Sequence, residues 1–176
     1  PLVGLAPGAS YGPSKCWPPD RFAAVGDALA RDGARVLLLG SPAEIERCAA
    51  VRAAMRERSV DLSGRLDVGA LKAVVRRLGL LVANDAGARH VAVAFGVPCV
   101  VLFGPTSVAK TPLNLERVAV VERDDPCRPC YRRRCPIDHR CLVGIDAGRV
   151  IGVARERLEA AGGAARPPLR RAGSPS

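Results

Sequence analysis

Aromatic residues are scarce in this chain: three Phe, two Tyr and one Trp among 176 residues. Proteins that bind single-stranded nucleic acid stack bases on aromatic side chains, so this supply argues against that class. No run of 18 or more apolar residues occurs, and none of the segments reads as a membrane-spanning helix. The first residues lack the charged segment and small-residue cleavage site of a signal peptide. Together these absences read as a cytosolic protein. Methionine occurs once, at Met55 inside a helical pattern, and the chain starts at Pro1, so it reads as a piece of a longer protein. What is plentiful is apolar residues, 48% of the chain, enough for one core of ordinary domain size. Arginine and lysine together number 27 against 17 acidic residues, a net charge of +10. That charge permits attraction to phosphates, nucleic acid or an anionic membrane face and selects none of them.

The hydrophobic pattern alternates between short buried runs and helical periods. Leu2 to Ala6, Arg35 to Gly40, Ser59 to Leu62, Leu80 to Ala83, Pro98 to Phe103 and Val118 to Val121 read as strands. Between them, Pro19 to Gly33, Pro42 to Arg58, Asp67 to Leu78 and Gly87 to Phe95 read as helices, with a last helix over Asp146 to Ala161. Ile45, Ala49 and Met55 are expected to form the inner face of the second helix, and Val68, Leu71, Val74, Val75 and Leu78 that of the third. Such alternation predicts an α/β domain, an open and mostly parallel Rossmann-like sheet with helices on both faces. From Gly162 onward the chain is Gly, Pro, Ser and Arg with little to bury, hence a disordered basic tail over 162–176.

In such a sheet ligands lie at the strands' C-terminal ends. Those ends are Pro7 to Trp17, Gly40-Ser41, Leu62 to Gly64, Asn84 to His90 and Gly104 to Thr111. The first carries Lys15 between Pro13, Pro18 and Pro19, which restrict the backbone around the one cation. In the fourth, Asn84 and Asp85 are good N-cap types, Gly87 permits close backbone approach, and the helix that follows offers unpaired N–H groups to an anion. Glu44 lies one helical turn beyond Gly40-Ser41, where a carboxylate can accept hydrogen bonds from ribose hydroxyls. Each has a plainer alternative. Lys15 can be a surface lysine beside a half-buried Trp17, Asp85 a simple N-cap, His90 a neutral packed imidazole, and Glu44 a carboxylate answering a helix N-terminus.

Five segments, "PGASYGPSKCWPPDRF", "LLGSPAE", "NDAGARHVAVAFGVP", "LFGPTS…TPL" and "CRPCYRRRCPIDHRCL", stand in the order found in glycosyltransferase family 9. Over residues 1 to 160 the chain resembles the ADP-heptose:lipopolysaccharide heptosyltransferases of that family, and most closely their type II branch. The resemblance implies a GT-B enzyme of two Rossmann-like domains, of which this chain matches the C-terminal, donor-binding half over 1–161. The N-terminal acceptor domain, which supplies the base in such enzymes, has no counterpart here. It implies a heptose transfer from ADP-heptose to the lipopolysaccharide inner core, with the half alone inactive and no cofactor required. Lys15, Asp85 and His90 are then the catalytic set. Donor contacts fall on Ser10, Lys15, Glu44, Ser63, Gly64, Asp85, Ala86, Gly87, Ala88 and His90. Thr106, Ser107 and Thr111 are further lining candidates, and Ala86 stands where the family usually carries a hydroxyl residue. Expected partners are the nucleotide sugar, the inner-core acceptor, the absent domain and the anionic face of the inner membrane as a peripheral contact; nucleic acid is not expected.

Cys48 and Cys99 fall in apolar patterns, whereas Cys127, Cys130, Cys135 and Cys141 follow C-x2-C-x4-C-x5-C within segment 124–143, with His139 among them. That spacing can close a tetrahedral zinc site. Reduced structural thiols are the alternative, and the preferred one. Arg132, Arg133 and Arg134 beside them either face an anionic acceptor or are simply solvated. Two other functions remain open: a non-catalytic or degenerate nucleotide-sugar-binding module, and a zinc-stapled basic nucleic-acid binder.

Overall fold

A computed structural model describes residues 1–110 and 115–163. Six strands form one sheet: β1 (Leu2–Ala6), β2 (Arg35–Leu38), β3 (Ser59–Asp61), β4 (Leu80–Asn84), β5 (Cys99–Phe103) and β6 (Val118–Glu122). Every pairing is parallel and the spatial order is β3-β2-β1-β4-β5-β6. The expected α/β architecture is therefore present. A parallel sheet must be covered on both faces, which is why its central strands read as continuous apolar runs. All five residues of β4 and of β5 are buried.

The strand period of two divides those side chains between two cores. Val3, Leu5, Leu80, Val82, Val100 and Leu102 pack with α1 (Pro19–Arg31), α2 (Ile45–Ala54) and α6 (Ala147–Gly163). Ala6, Leu81, Ala83, Cys99, Val101 and Phe103 pack on the other face against α3 (Val68–Val75) and α4 (Gly87–Ala94). A further short helix, α5 (Arg140–Val143), lies within the cysteine-rich segment, and nothing in the hydrophobic pattern announced it.

Two helix faces differ from expectation. In α2 the inner residues are Cys48 and Val51, continued by Met55 just past the helix end, while Ile45 is 45% exposed and Ala49 lies in solvent. The cause is a separate 3-10 turn over Pro42–Glu44, closed by a Ser41/Glu44 capping box, which sets the α-helix to begin at Ile45 and rotates its face. In α3, Val75 and the following Leu78 are buried, but Val68 is 68% exposed because it sits in the first turn, beside the capping Asp67. The basic tail lies outside the described residues from 164 on, as does Thr111.

Candidate functional site

Strand order reverses between β1 and β4, which leave the sheet centre in opposite directions around it. The crevice above this switch point is where open α/β sheets take ligands. Ala6 pairs with Ala83, so the Pro7 carbonyl lies beside Asn84. Asn84, fully buried, donates from Nδ2 to the Pro7 carbonyl at 2.8 Å and accepts the Trp17 backbone N–H on Oδ1 at 3.1 Å. Asn84 is thus a clasp that fixes both ends of the 7–17 loop to β4, not a helix cap. The N-cap of α4 is Ala86, and no side chain caps that helix. Within the loop, Pro13–Lys15 makes a 3-10 turn. Trp17 anchors the loop's far end: it is fully buried, meets Phe22 edge-on at 5.2 Å and donates from Nε1 to the Ile145 carbonyl at 3.3 Å.

These constraints deliver Lys15 to Asp85. Lys15 Nζ donates to the Asp85 carboxylate Oδ2 at 2.7 Å and to its carbonyl at 3.1 Å, with only 13% of the lysine side chain exposed. Thr106, buried after β5, donates to the same Oδ2 at 2.9 Å. The other carboxylate oxygen faces Arg89 Nε at 3.2 Å, and Arg89 is 1% exposed. Two loops and helix α4 therefore converge on one carboxylate. Arg89 was not among the residues expected here, although the i,i+4 spacing of Asp85 and Arg89 on a helix start is a legible ion-pair signal. His90 follows on the exposed side of α4. Partial desolvation lowers its pKa first, Arg89 and Lys15 push it further down, and Asp85 opposes them. At neutral pH His90 is thus an uncharged imidazole with one N–H to offer. Gly87 is exposed and Ala88 half-buried at the same helix start, so backbone N–H groups there are accessible.

The remaining expected contacts follow the sheet edge away from Lys15. Glu44 accepts from the Ser41 N–H at 2.7 Å and Oγ at 2.9 Å on Oε2, and the rest of its carboxylate lies against Gly8, where a Cβ would overlap it. It therefore answers the turn N-terminus and faces the β1 exit at once. Ser63 is buried at the end of β3, donating its N–H to Asp61 at 2.9 Å, and the Gly64 N–H reaches the Gly40 carbonyl at 2.9 Å. Ser10 is exposed at the loop tip.

The cysteine-rich segment buttresses the lysine loop. The Ser14 N–H donates to the Arg133 carbonyl at 3.2 Å, Ser14 Oγ to the Arg132 carbonyl, and the Tyr11 hydroxyl to the Tyr131 carbonyl. His139 Nε2 meets the Ser14 carbonyl at 2.6 Å. Gly12, at φ +148°, is the position that lets the two segments of this contact close: a Cβ would come within 2.6 Å of the Arg133 carbonyl. Arg132 to Arg134 are exposed, and the Arg133 guanidinium lies 5.6 Å from the Tyr11 ring.

All seven cysteines are free, with Cys127 exposed, Cys130 and Cys135 half-buried and Cys141 buried. Burial raises the Cys141 pKa, and neighbouring Cys127, Cys135 and Cys130 add to the rise against Arg128. The four thiols are neighbours, yet among the described residues no three His, Cys, Asp or Glu side chains converge as a metal site. If the segment holds reduced structural thiols, protein purified without chelators carries well under one zinc per chain by elemental analysis. Stoichiometric metal, together with unfolding of 124–143 on chelation, would overturn this, since binding in such a segment is folding energy.

Residues 1–140 match the profile of Glycosyltransferase family 9 (heptosyltransferase). Curated relatives include lipooligosaccharide heptosyltransferase 2 of Haemophilus ducreyi, 33% identical over 86% of this chain and 46% of that protein. The corresponding protein of Campylobacter jejuni is 28% identical over 90% of this chain and 51% of its own length. The chain thus spans about half the length of the curated relatives it matches. Among solved structures, E. coli ADP-heptose lps heptosyltransferase II superposes with a TM-score of 0.81 at 27% identity, over 91% of this chain and 47% of that one. A glycosyl transferase family 9 structure from Veillonella parvula gives 0.78 at 29%, over 90% and 46%. The iron-containing heptosyltransferase TibC, at 18% identity and a TM-score of 0.67, shares the fold. The five segments read from the sequence, the 3-2-1-4-5-6 sheet and these likenesses agree, and the chain belongs to glycosyltransferase family 9.

Proposed function

We propose that this chain is the donor-binding, C-terminal half of a heptosyltransferase that moves heptose from ADP-heptose to the lipopolysaccharide inner core. The observation that carries the reading is the Lys15–Asp85 pair at the switch point, beside the open N-terminus of α4. From β3 to β4 the strand ends present Ser63 and Gly64, then Glu44, then Lys15, then Asp85 to His90. Three strand spacings make roughly 14 Å, and that order suits base, then ribose, then the diphosphate and sugar shared between Lys15 and Asp85 to His90.

In the reaction an acceptor hydroxyl oxygen attacks the anomeric carbon while the bond from that carbon to the β-phosphate oxygen breaks. The electron pair leaves with ADP. Lys15, the backbone N–H groups of Gly87 and Ala88 and neutral His90 answer the charge that grows on the leaving phosphate. The hydroxyl's proton goes to a base outside this chain, on the acceptor side. The exposed Arg132 to Arg134 would meet the phosphorylated acceptor or the anionic inner membrane face. Among the described residues no helix is long and apolar enough to cross a membrane, and the cytoplasmic face is the site we assign.

Isothermal titration is expected to show weak ADP binding by this chain, with no release of ADP from ADP-heptose when acceptor is supplied. Heptose transfer by the chain alone would sink the half-enzyme reading. A second reading, a non-catalytic nucleotide-sugar-binding module, is favoured by Ala86, which leaves α4 without a side-chain cap or hydroxyl donor. It predicts that supplying an acceptor domain restores no transfer.

A further inference from the structure

Arg89 is an odd residue for its place. It is 1% exposed, on the inner side of α4, with its guanidinium 5.5 Å from the centre of the Phe103 ring. Its Nε lies 3.2 Å from Asp85 Oδ1 without hydrogen-bond alignment, and Nε and one terminal nitrogen have no hydrogen-bond partner among the described residues. Buried donors left unmet are costly and rare, and an apolar side chain of similar volume usually serves a buried ion-pair position as well or better. Packing therefore does not account for this arginine.

The geometry around Asp85 does. Its two oxygens are divided: Oδ1 faces Arg89, while Oδ2 receives Lys15 Nζ at 2.7 Å and Thr106 Oγ1 at 2.9 Å. Two cations thus share one carboxylate, and the cluster holds one positive charge in surplus. Arg89 is almost wholly buried and its nearest carboxylate is that of Asp85. Lys15 is the partner with freedom, since an ammonium has three donors and the Asp85 carboxylate and carbonyl take two. With Arg89 absent, Lys15 and Asp85 would neutralise each other, and an anion approaching Lys15 would meet an uncompensated carboxylate just behind it.

We propose that Arg89 is a positioning residue, which holds Asp85 through Oδ1 and balances its charge so that Lys15 offers its third donor and the surplus charge to a phosphate oxygen. The proposal rests on the diphosphate reading of the site. Arg89 itself never touches the ligand; it acts through Asp85 and Lys15.

The test compares wild type, Arg89→Met and Arg89→Lys in the whole chain, titrated with ADP and adenosine at low salt, with thermal unfolding and an NMR titration of His90 alongside. Arg89→Met is expected to unfold at or above the wild-type temperature and to bind adenosine as wild type does, yet to bind ADP about tenfold more weakly. Its His90 should titrate at higher pH than in wild type, because one of the cations holding it down is gone. Arg89→Lys keeps the charge with a shorter reach and is expected to recover part of the ADP affinity; Arg89→Gln, uncharged but able to hydrogen-bond, carries the test should Arg89→Met fail to fold. ADP affinity within twofold of wild type in Arg89→Met, or in the uncharged Arg89→Gln where Arg89→Met does not fold, overturns the positioning role alone. Wild type showing no preference for ADP over adenosine overturns the diphosphate reading, and the role of Arg89 with it.

Discussion

Lys15→Ala is expected to weaken ADP binding by roughly ten- to a hundredfold while leaving adenosine binding unchanged. A charge-assisted hydrogen bond contributes about 1.5 to 3 kcal/mol, which converts to that range of affinity. The fold should survive the change. Asp85 loses one of three partners but keeps Arg89 at 3.2 Å and Thr106 at 2.9 Å, so no buried carboxylate is stranded. The loop is held by Asn84, Ser14 and Trp17, none of which depends on the lysine head group. Lys15→Arg should recover only part of the loss, because a planar guanidinium in the proline-bounded turn cannot place its charge where the ammonium sits. Calorimetric titration at low salt is the decisive measurement, since screening is weakest there. ADP affinity of Lys15→Ala within twofold of wild type would mean the 3-10 turn over Pro13–Lys15 is scaffolding and the phosphates bind elsewhere.

How far the site could be read in advance depended on the range of the interactions that build it. Five of the six strands were legible as apolar runs bounded by turn residues, because such patterns are local, whereas β3, Ser-Val-Asp with Val60 exposed, carries only a weak pattern and follows from its place in the alternation. So was the crevice, since the alternation of strand and helix dictates which loops share an edge. Lys15, Asp85 and Glu44 stood at those loops and the fold brings them to one side of the sheet. What was hidden lay in partners distant along the chain. Nothing local to Ser14 or Tyr11 says that they hydrogen-bond carbonyls some 120 residues later, and without that contact the cysteine-rich segment looks like an independent unit. Arg89 was missed for a different reason. A charged residue in an alanine-rich helix reads as solvated, and only the placement of Phe103 and Asp85 around it shows that it is buried. The inner face of α2 went astray because a 3-10 turn and an α-helix share the same composition at Pro42–Ala54, and a change of period shifts every later residue.

Asn84→Ala carries the largest expected cost in stability. The side chain is fully buried and satisfies two backbone groups, the Pro7 carbonyl at 2.8 Å and the Trp17 N–H at 3.1 Å. Truncation leaves both without that partner in a site closed to water, at about 1 to 3 kcal/mol for each group. A combined loss of about 2 to 6 kcal/mol corresponds to a fall of roughly 4 to 24 °C in melting temperature for a domain of this size. Asn84→Asp is a sharper probe. It keeps an acceptor for the Trp17 N–H but sets a second oxygen against the Pro7 carbonyl where a donor is needed, so it should be no more stable than alanine. Had Asn84 been a helix cap, aspartate would have replaced it at almost no cost, since the two residues cap equally well. Thermal unfolding of the two variants therefore separates the roles: an aspartate variant that melts within about 2 °C of wild type would refute the clasp. Loss of the clasp frees both ends of the 7–17 loop, and ADP affinity should fall with it even though Asn84 itself, at 0% exposure, is out of reach of any ligand.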